Sequence, residues 1–322
     1  MSDLDIAPQE RTCGADAASV PVLEFVEGRD VVLGGPRGLP VTRTLPARGR
    51  RMVGAWCFLD AYGPVDLDGH PGMRVPPHPH TGLQTVTWLV DGEVLHRDSV
   101  GSEQVVRPGA LNLMTAGRGI SHSEESLPGG PSGLQGVQLW VAMPDAVRHA
   151  EPHFEHHDDL PWFDVGGGSV TILSGDMGGE HAPATAYSSH VGAQVELSPG
   201  ARTSLPLRPD FEHAVLALRG VAAVDGARLP AGPLLYLGSR RDRLDLAAGA
   251  EGVLLMLIGG VPFDEEIVMW WNFVGRSHEE IVAFRQDWQA GEGFGEVLGY
   301  GGGPLAAPPL PGTRLKPRGR ER

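Results

Sequence analysis

Residues 85–99, TVTWLVDGEVLHRDS, alternate in polarity on both sides of Asp91-Gly92. Period-two alternation marks a strand with one buried face, and an Asp-Gly pair supplies the positive φ that a tight hairpin turn needs. The style recurs along the chain. VPVLEFV (20–26), VVLGG (31–35), QVVRPGALNLMTAG (104–117) and GVQLWVAMP (136–144) are short apolar runs cut by turn residues. With 46 Gly, 28 Pro and only 6% aromatic residues among 322, this punctuation predicts an all-β chain of many short strands, against a helical bundle.

The chain is long enough for two domains. Residues 1–20 read as a loose arm, 21–148 as a first domain, and the polar, His- and Pro-rich 149–168 as a linker. Residues 169–292 read as a second domain and 293–322 as a Gly/Pro-rich tail, an extended strap or a disordered end. The second domain repeats the first: TVTWLVDGEV sets beside AVLALRGVAA, and VVRPGALNLMTAG beside ARLPAGPLLYLGS. This pairs Gly92 with Gly220 and Gly109 with Gly232. One helix is expected in RSHEEIVAFRQDWQAGEG, with Ser277 as N-cap, Glu280 as its capping-box partner and Gly291 as the stop. Ile281, Phe284 and Trp288 would share its packing face.

The net charge of −14 disfavours direct nucleic-acid binding, although the tail TRLKPRGRER is basic and could meet an acidic surface. Cys13 and Cys57 are too few for a disulfide framework, and Cys57, within VGAWCFLD, reads as a small core residue. Neither a signal pattern nor a membrane-length apolar run is present, so a cytoplasmic protein with no membrane partner is expected, as a monomer.

Of 13 histidines, most lack a paired ligand at useful spacing. Two pairs stand apart: His78 with His80 in PPHPHTG, and His122 with Glu124 in GISHSEES. Residues i and i+2 on a strand face the same way, so each pair can present two ligands to one side. Brought together, they give three imidazoles and a carboxylate, which suit iron(II), manganese, nickel, copper or zinc. Without thiolates, a structural zinc knot is disfavoured. Counted onto the second half, His78, His80 and His122 fall on Pro206, Arg208 and Asp245, so no equivalent site is expected there.

The stretches HPHTG (78–82), VDGEVLHRDS (90–99), RPGALNLMTAGRGISHSEE (107–125), VQLWVAMP (137–144) and GGVPFDEEIVMWWNFVGRSHEEI (259–281) resemble the pirin family of the cupin superfamily, especially its bacterial quercetinase-like members. The resemblance implies a bicupin, two antiparallel jelly-roll barrels packed face to face with a short C-terminal helix. It implies one divalent metal per chain, iron(II) above Mn, Ni, Cu or Zn, held in the first barrel by His78, His80, His122 and Glu124. Pirins often carry a glutamate where this chain has Gln84, so Gln84 is expected near the metal; His96, by its own position near the hairpin in EVLHRDS, is a second candidate for those surroundings.

The same resemblance implies quercetin 2,3-dioxygenase activity. Dioxygen would open a flavonol or related aromatic diol with release of carbon monoxide, and Glu124 would serve as base. The family resemblance also implies an alternative role, an iron-dependent redox switch that binds a transcription factor or metabolic enzyme; a third reading of the residues is a degenerate cupin whose metal serves stability alone.

Overall fold

The computed structural model describes residues 22–33, 39–68 and 72–321. The expected arm, with Cys13, and His70 lie outside them. The fold is two cupin domains, mostly antiparallel strand, with one helix at His278–Ala290. No helix among the described residues is long and apolar enough to cross a membrane.

The first domain pairs a seven-stranded sheet with a four-stranded one. Strand Leu83–Asp91 lies inside the larger sheet between Leu111–Thr115 and Gly133–Ala142. Its polarity alternation becomes a division between two interiors. Leu89 joins the barrel core, and Thr87 reaches toward the barrel's carboxylate. Val86 and Trp88, on the opposite face, pack against Leu216, Leu254 and Met256 of the second domain. The largest apolar cluster is therefore the seam between domains, and packing on both faces explains why this alternating strand is buried almost throughout. Burying each such side chain contributes roughly 1.5–3 kcal/mol. Trp56 sits in this seam at 1% exposure, its indole N–H shared between the Val191 and Gly259 carbonyls.

The internal repeat has a structural counterpart. Gly92 and Gly220 have φ of 87° and 73°, and Gly109 and Gly232 have 89° and 114°. In the first half Gly92 separates Leu83–Asp91 from Val94–Asp98, whereas strand Glu212–Val224 runs on through Gly220. Pro206 ends strand Arg202–Pro206, Arg208 is tied to Asp210 and stacked on Phe211, and Asp245 is exposed.

Three boundaries differ from expectation. The presumed linker contains a strand, His153–His157, paired with Leu111–Thr115 on the edge of the first sheet. A second strand within it, Trp162–Asp164, joins the second domain's sheet. The polar composition of 149–168 reflects an edge strand whose residues are all part-exposed. Strand Glu24–Val26, assigned by sequence order to the first domain, instead pairs with Leu234–Gly238 of the second.

The helix forms as its caps predict. Ser277 accepts from the Glu280 N–H, and Gly291 adopts φ 75°. The Glu280 carboxylate turns to the Arg276 N–H and the Arg148 guanidinium in place of the reciprocal capping bond. Ile281, Phe284 and Trp288 pack with Phe273 and Phe294. The tail is an extended strap: Leu305 N–H donates to the Pro77 carbonyl, and Arg318 and Ile267 exchange backbone bonds at 2.9 and 3.0 Å.

Candidate metal centre

Strands Arg74–His80 and Ile120–Glu125 lie side by side, with His122 opposite His78 and Ile120 opposite His80. The stretch around His78 and His80 is thus strand, despite its prolines. Both pairs turn inward, and a bulge between His122 and Glu124 adjusts the second. All four residues line one cavity of about 420 Å³, within the roughly 300–1,000 Å³ of small-molecule sites.

Their hydrogen bonds fix the state of each ring. His78 Nδ1 donates to the Pro76 carbonyl at 2.9 Å, and His80 Nδ1 to the Asn272 carbonyl at 3.2 Å. A carbonyl only accepts, so in the neutral rings both Nε2 atoms hold bare lone pairs. Strand Val94–Asp98 flanks Ile120–Glu125 on its other side and supplies the partner of the third ring. His96 Nε2 lies 3.0 Å from Asp98 Oδ2, and His96 Nδ1 lies 3.4 Å from His122 Nδ1. With His96 donating to Asp98, its Nδ1 accepts from His122, and His122 Nε2 is bare as well. His80 Nε2 and His122 Nε2 then face each other at 3.1 Å. Two lone pairs at that distance repel unless a cation lies between them.

A proton is a poor candidate for that cation. Burial, reinforced by repulsion among the clustered rings, holds His80 and His122 well below the usual histidine range. Burial pushes His78 down to about 4. Neutral, deprotonated imidazoles are the form in which histidine binds metal. The three rings have ligand atoms within 4.8 Å of one another, and His96, His122 and Glu124 form a second such group. Burial raises Glu124 above the usual carboxylate value, partly offset by His96 and by the Thr87 hydroxyl, which donates to Oε1 at 3.2 Å. His96 thus lies behind His122 and beside Glu124.

The cavity walls come from across the chain. Phe58 stacks on Trp140 at 3.9 Å, and Trp140 meets His80 edge-on at 5.1 Å. Arg43 lies over Phe58 and grips buried Asp60 through two bonds of 2.7 and 2.8 Å. A hairpin of Val268–Trp270 and Phe273–Gly275 contributes Met269, Trp271 and Asn272 to the cavity wall. Trp271 holds φ 54°, a left-handed conformation that is uncommon for a bulky residue.

Two family models match the chain, Pirin over residues 38–141 and the Pirin C-terminal cupin domain over residues 192–295. The chain belongs to the pirin family. A Pseudomonas aeruginosa protein provisionally named a quercetin 2,3-dioxygenase is 45% identical over 90% of this chain and 91% of its own. A pirin-like protein of Caulobacter vibrioides is 37% identical over 78% and 88%. The crystal structure of a quercetin 2,3-dioxygenase from Acinetobacter baumannii superposes with a TM-score of 0.86 at 39% identity, covering 91% of this chain and 97% of that one.

In this pirin, Gln84 is not where the family resemblance led us to expect it. It faces the domain seam, and its amide donates to Thr115 Oγ1 and to the Thr185 carbonyl, each at 3.0 Å. The turn at Thr81-Gly82 resets strand parity, so Gln84 lies on the face opposite Thr87 and Glu124. The wall residues Arg43, Asp60, Trp140 and Trp271 were not foreseen. VMWWNFVG carried the only signal, a dense aromatic run after the second domain's last long strand, but nothing in it names the first barrel as its destination.

Proposed function

We propose that this pirin is a mononuclear iron(II) dioxygenase that opens a flavonol such as quercetin, or a related aromatic diol. His78, His80, His122 and Glu124 would hold the ion. The observation that carries this reading is the pair of bare Nε2 atoms of His80 and His122, 3.1 Å apart in a buried, uncharged cluster. Two nitrogens bound to one ion at about 2.1 Å stand about 3.0–3.4 Å apart at octahedral to tetrahedral angles. The donor set of imidazoles and carboxylate suits iron(II) and leaves positions open for substrate. When bound, the metal supplies the Lewis acidity that favours a deprotonated 3-hydroxyl and the redox capacity for reaction with dioxygen.

The chain's own residues do the rest. Trp140 and Trp271, both lining the cavity, offer aromatic surface to a fused-ring substrate. Glu124, which accepts from Thr87, would take up the substrate's hydroxyl proton, a role that its burial-raised basicity supports. The hairpin bearing Met269 and Trp271 forms part of the cavity wall and would help to exclude water from a bound substrate. The names of the Pseudomonas and Acinetobacter relatives support the same activity.

The test is anaerobic loading with iron(II), followed by quercetin and dioxygen. The account expects dioxygen uptake matched by carbon monoxide release, with a loss of at least about 100-fold in His80→Ala and Glu124→Ala. Stoichiometric metal binding without turnover over a broad phenolic panel would contradict it.

A further inference from the structure

We propose that a basic groove beside the metal cavity binds an oxyanion carried by the substrate, so that the aromatic compound this pirin accepts bears a carboxylate, sulfate or phosphate group. This rests on reading the metal cavity as a substrate site. The groove encloses about 760 Å³ and shares Arg29, Pro46 and Met269 with the metal cavity as common walls. The two spaces adjoin at these three residues, and a ligand reaching from one to the other would pass over them.

Six cationic side chains line the groove, and among the described residues no carboxylate does. That local excess runs against the chain's net charge of −14. Two of the six are engaged: Arg314 pairs with Glu279, and Arg51 donates to the Gly319 and Glu321 carbonyls. The side chains of Arg48, Lys316 and Arg318 make no hydrogen bond or ion pair with any described residue. They approach from two sides, Arg48 from the first domain and the other two from the tail. Backbone bonds between Arg318 and Ile267 hold the tail in place there. Cations gathered without counter-charge repel one another, and a bound oxyanion relieves that repulsion while gaining charge-assisted hydrogen bonds. Buried Met52, with Met269 and Leu315, gives the groove an apolar floor, which suits an anion attached to an organic body. The basic tail segment therefore contributes to a ligand-sized groove, in place of a surface for a polyanion.

The experiment compares quercetin with its ring-sulfonated derivative, each titrated anaerobically into iron(II)-loaded protein, with tryptophan fluorescence as the readout. We expect the sulfonated compound to bind about tenfold more tightly at low salt, as two or three partly exposed cations would give, with the difference shrinking as salt rises. The triple variant Arg48→Gln/Lys316→Gln/Arg318→Gln should bind both compounds equally while keeping the wild-type Kd for quercetin. Equal affinities in the wild type, or a preference that survives in the triple variant, would overturn the proposal. If neither flavonol binds, the flavonol reading fails, and calorimetry with inorganic pyrophosphate then judges the groove alone. Pyrophosphate binding that the triple variant loses supports the oxyanion site; no binding to the wild type overturns it.

Discussion

His122 Nδ1 lies 3.4 Å from His96 Nδ1, and the far nitrogen of His96 lies 3.0 Å from Asp98 Oδ2. Burial alone would raise Asp98, but hydrogen bonds from His96 and from the Ser102 N–H outweigh it and hold the carboxylate below its usual range. The charged acceptor fixes the proton of His96 on Nε2, which in turn fixes that of His122 on Nδ1. Asp98→Asn can place an amide N–H against His96 and reverse both tautomers, putting a proton on His122 Nε2. Metal affinity should fall about 10–100-fold, as measured by chelator competition, while the thermal midpoint of the metal-free protein moves little.

Gln84→Glu separates a role at the domain seam from one at the metal. Gln84 is 1% exposed, and its amide donates to the Thr185 carbonyl. A carboxylate there would face that oxygen without a proton to share. Unfolding free energy should drop by about 1–3 kcal/mol in denaturant titrations, with metal affinity unchanged. A large change in metal affinity would mean that this position acts on the site after all.

Gly82 connects the strand of His78 and His80 to its neighbour at φ 68°, and a Cβ there would lie 2.4 Å from the Val274 carbonyl oxygen. That carbonyl belongs to the hairpin whose Asn272 holds His80. Gly82→Ala should cost about 2–4 kcal/mol through strain and displacement of the hairpin. It should also weaken metal binding, although it touches no ligand. Differential scanning calorimetry and chelator competition read the two effects.

His190 supplies a pH dependence separate from the metal. Burial pushes it down to about 4 from an ordinary 6.5, between the hydroxyls of Ser174 and Ser188. Above pH 6.5 the ring is neutral folded or unfolded and has no effect. As pH falls from 6.5 to 4, the unfolded chain takes up a proton that the folded chain refuses, so stability declines across that window and then levels off. The loss should reach about 3 kcal/mol in the metal-free protein. Denaturant titrations of His190→Asn should show a shallower decline between pH 6.5 and 4 than those of the wild type.

The clustering of the two residue pairs was legible because the spacing in His78-x-His80 and His122-x-Glu124 is a local property of strands, and the helix because Ser277, Glu280 and Gly291 are local caps. What depends on chain return was not legible. Asn272, which orients His80, lies 192 residues away on a hairpin that leaves the second domain to cover the first. Gln84 was misplaced because spacing from the histidines says nothing about parity once the chain has turned. The edge strand His153–His157 was hidden by its polarity. Its partners include a bond between His156 Nδ1 and Asn112 Oδ1 at 2.6 Å and a hydrogen bond within the strand, from His157 Nε2 to Glu155 Oε2 at 3.1 Å. Such contacts stabilise a part-exposed edge without apolar alternation. The buried Cys57, pushed up to about 12 by burial, was read correctly as a small core residue, since its apolar neighbours already implied it.

The convergence of three bare imidazole nitrogens on one ion is the central claim, and metal stoichiometry tests it most directly. Elemental analysis of protein purified from its native host, beside iron(II)-reconstituted wild type, His80→Ala and His122→Ala, should find one metal per chain in the wild type and none retained by either variant after gel filtration. A wild type that holds no metal, or variants that keep it undiminished, would contradict the account.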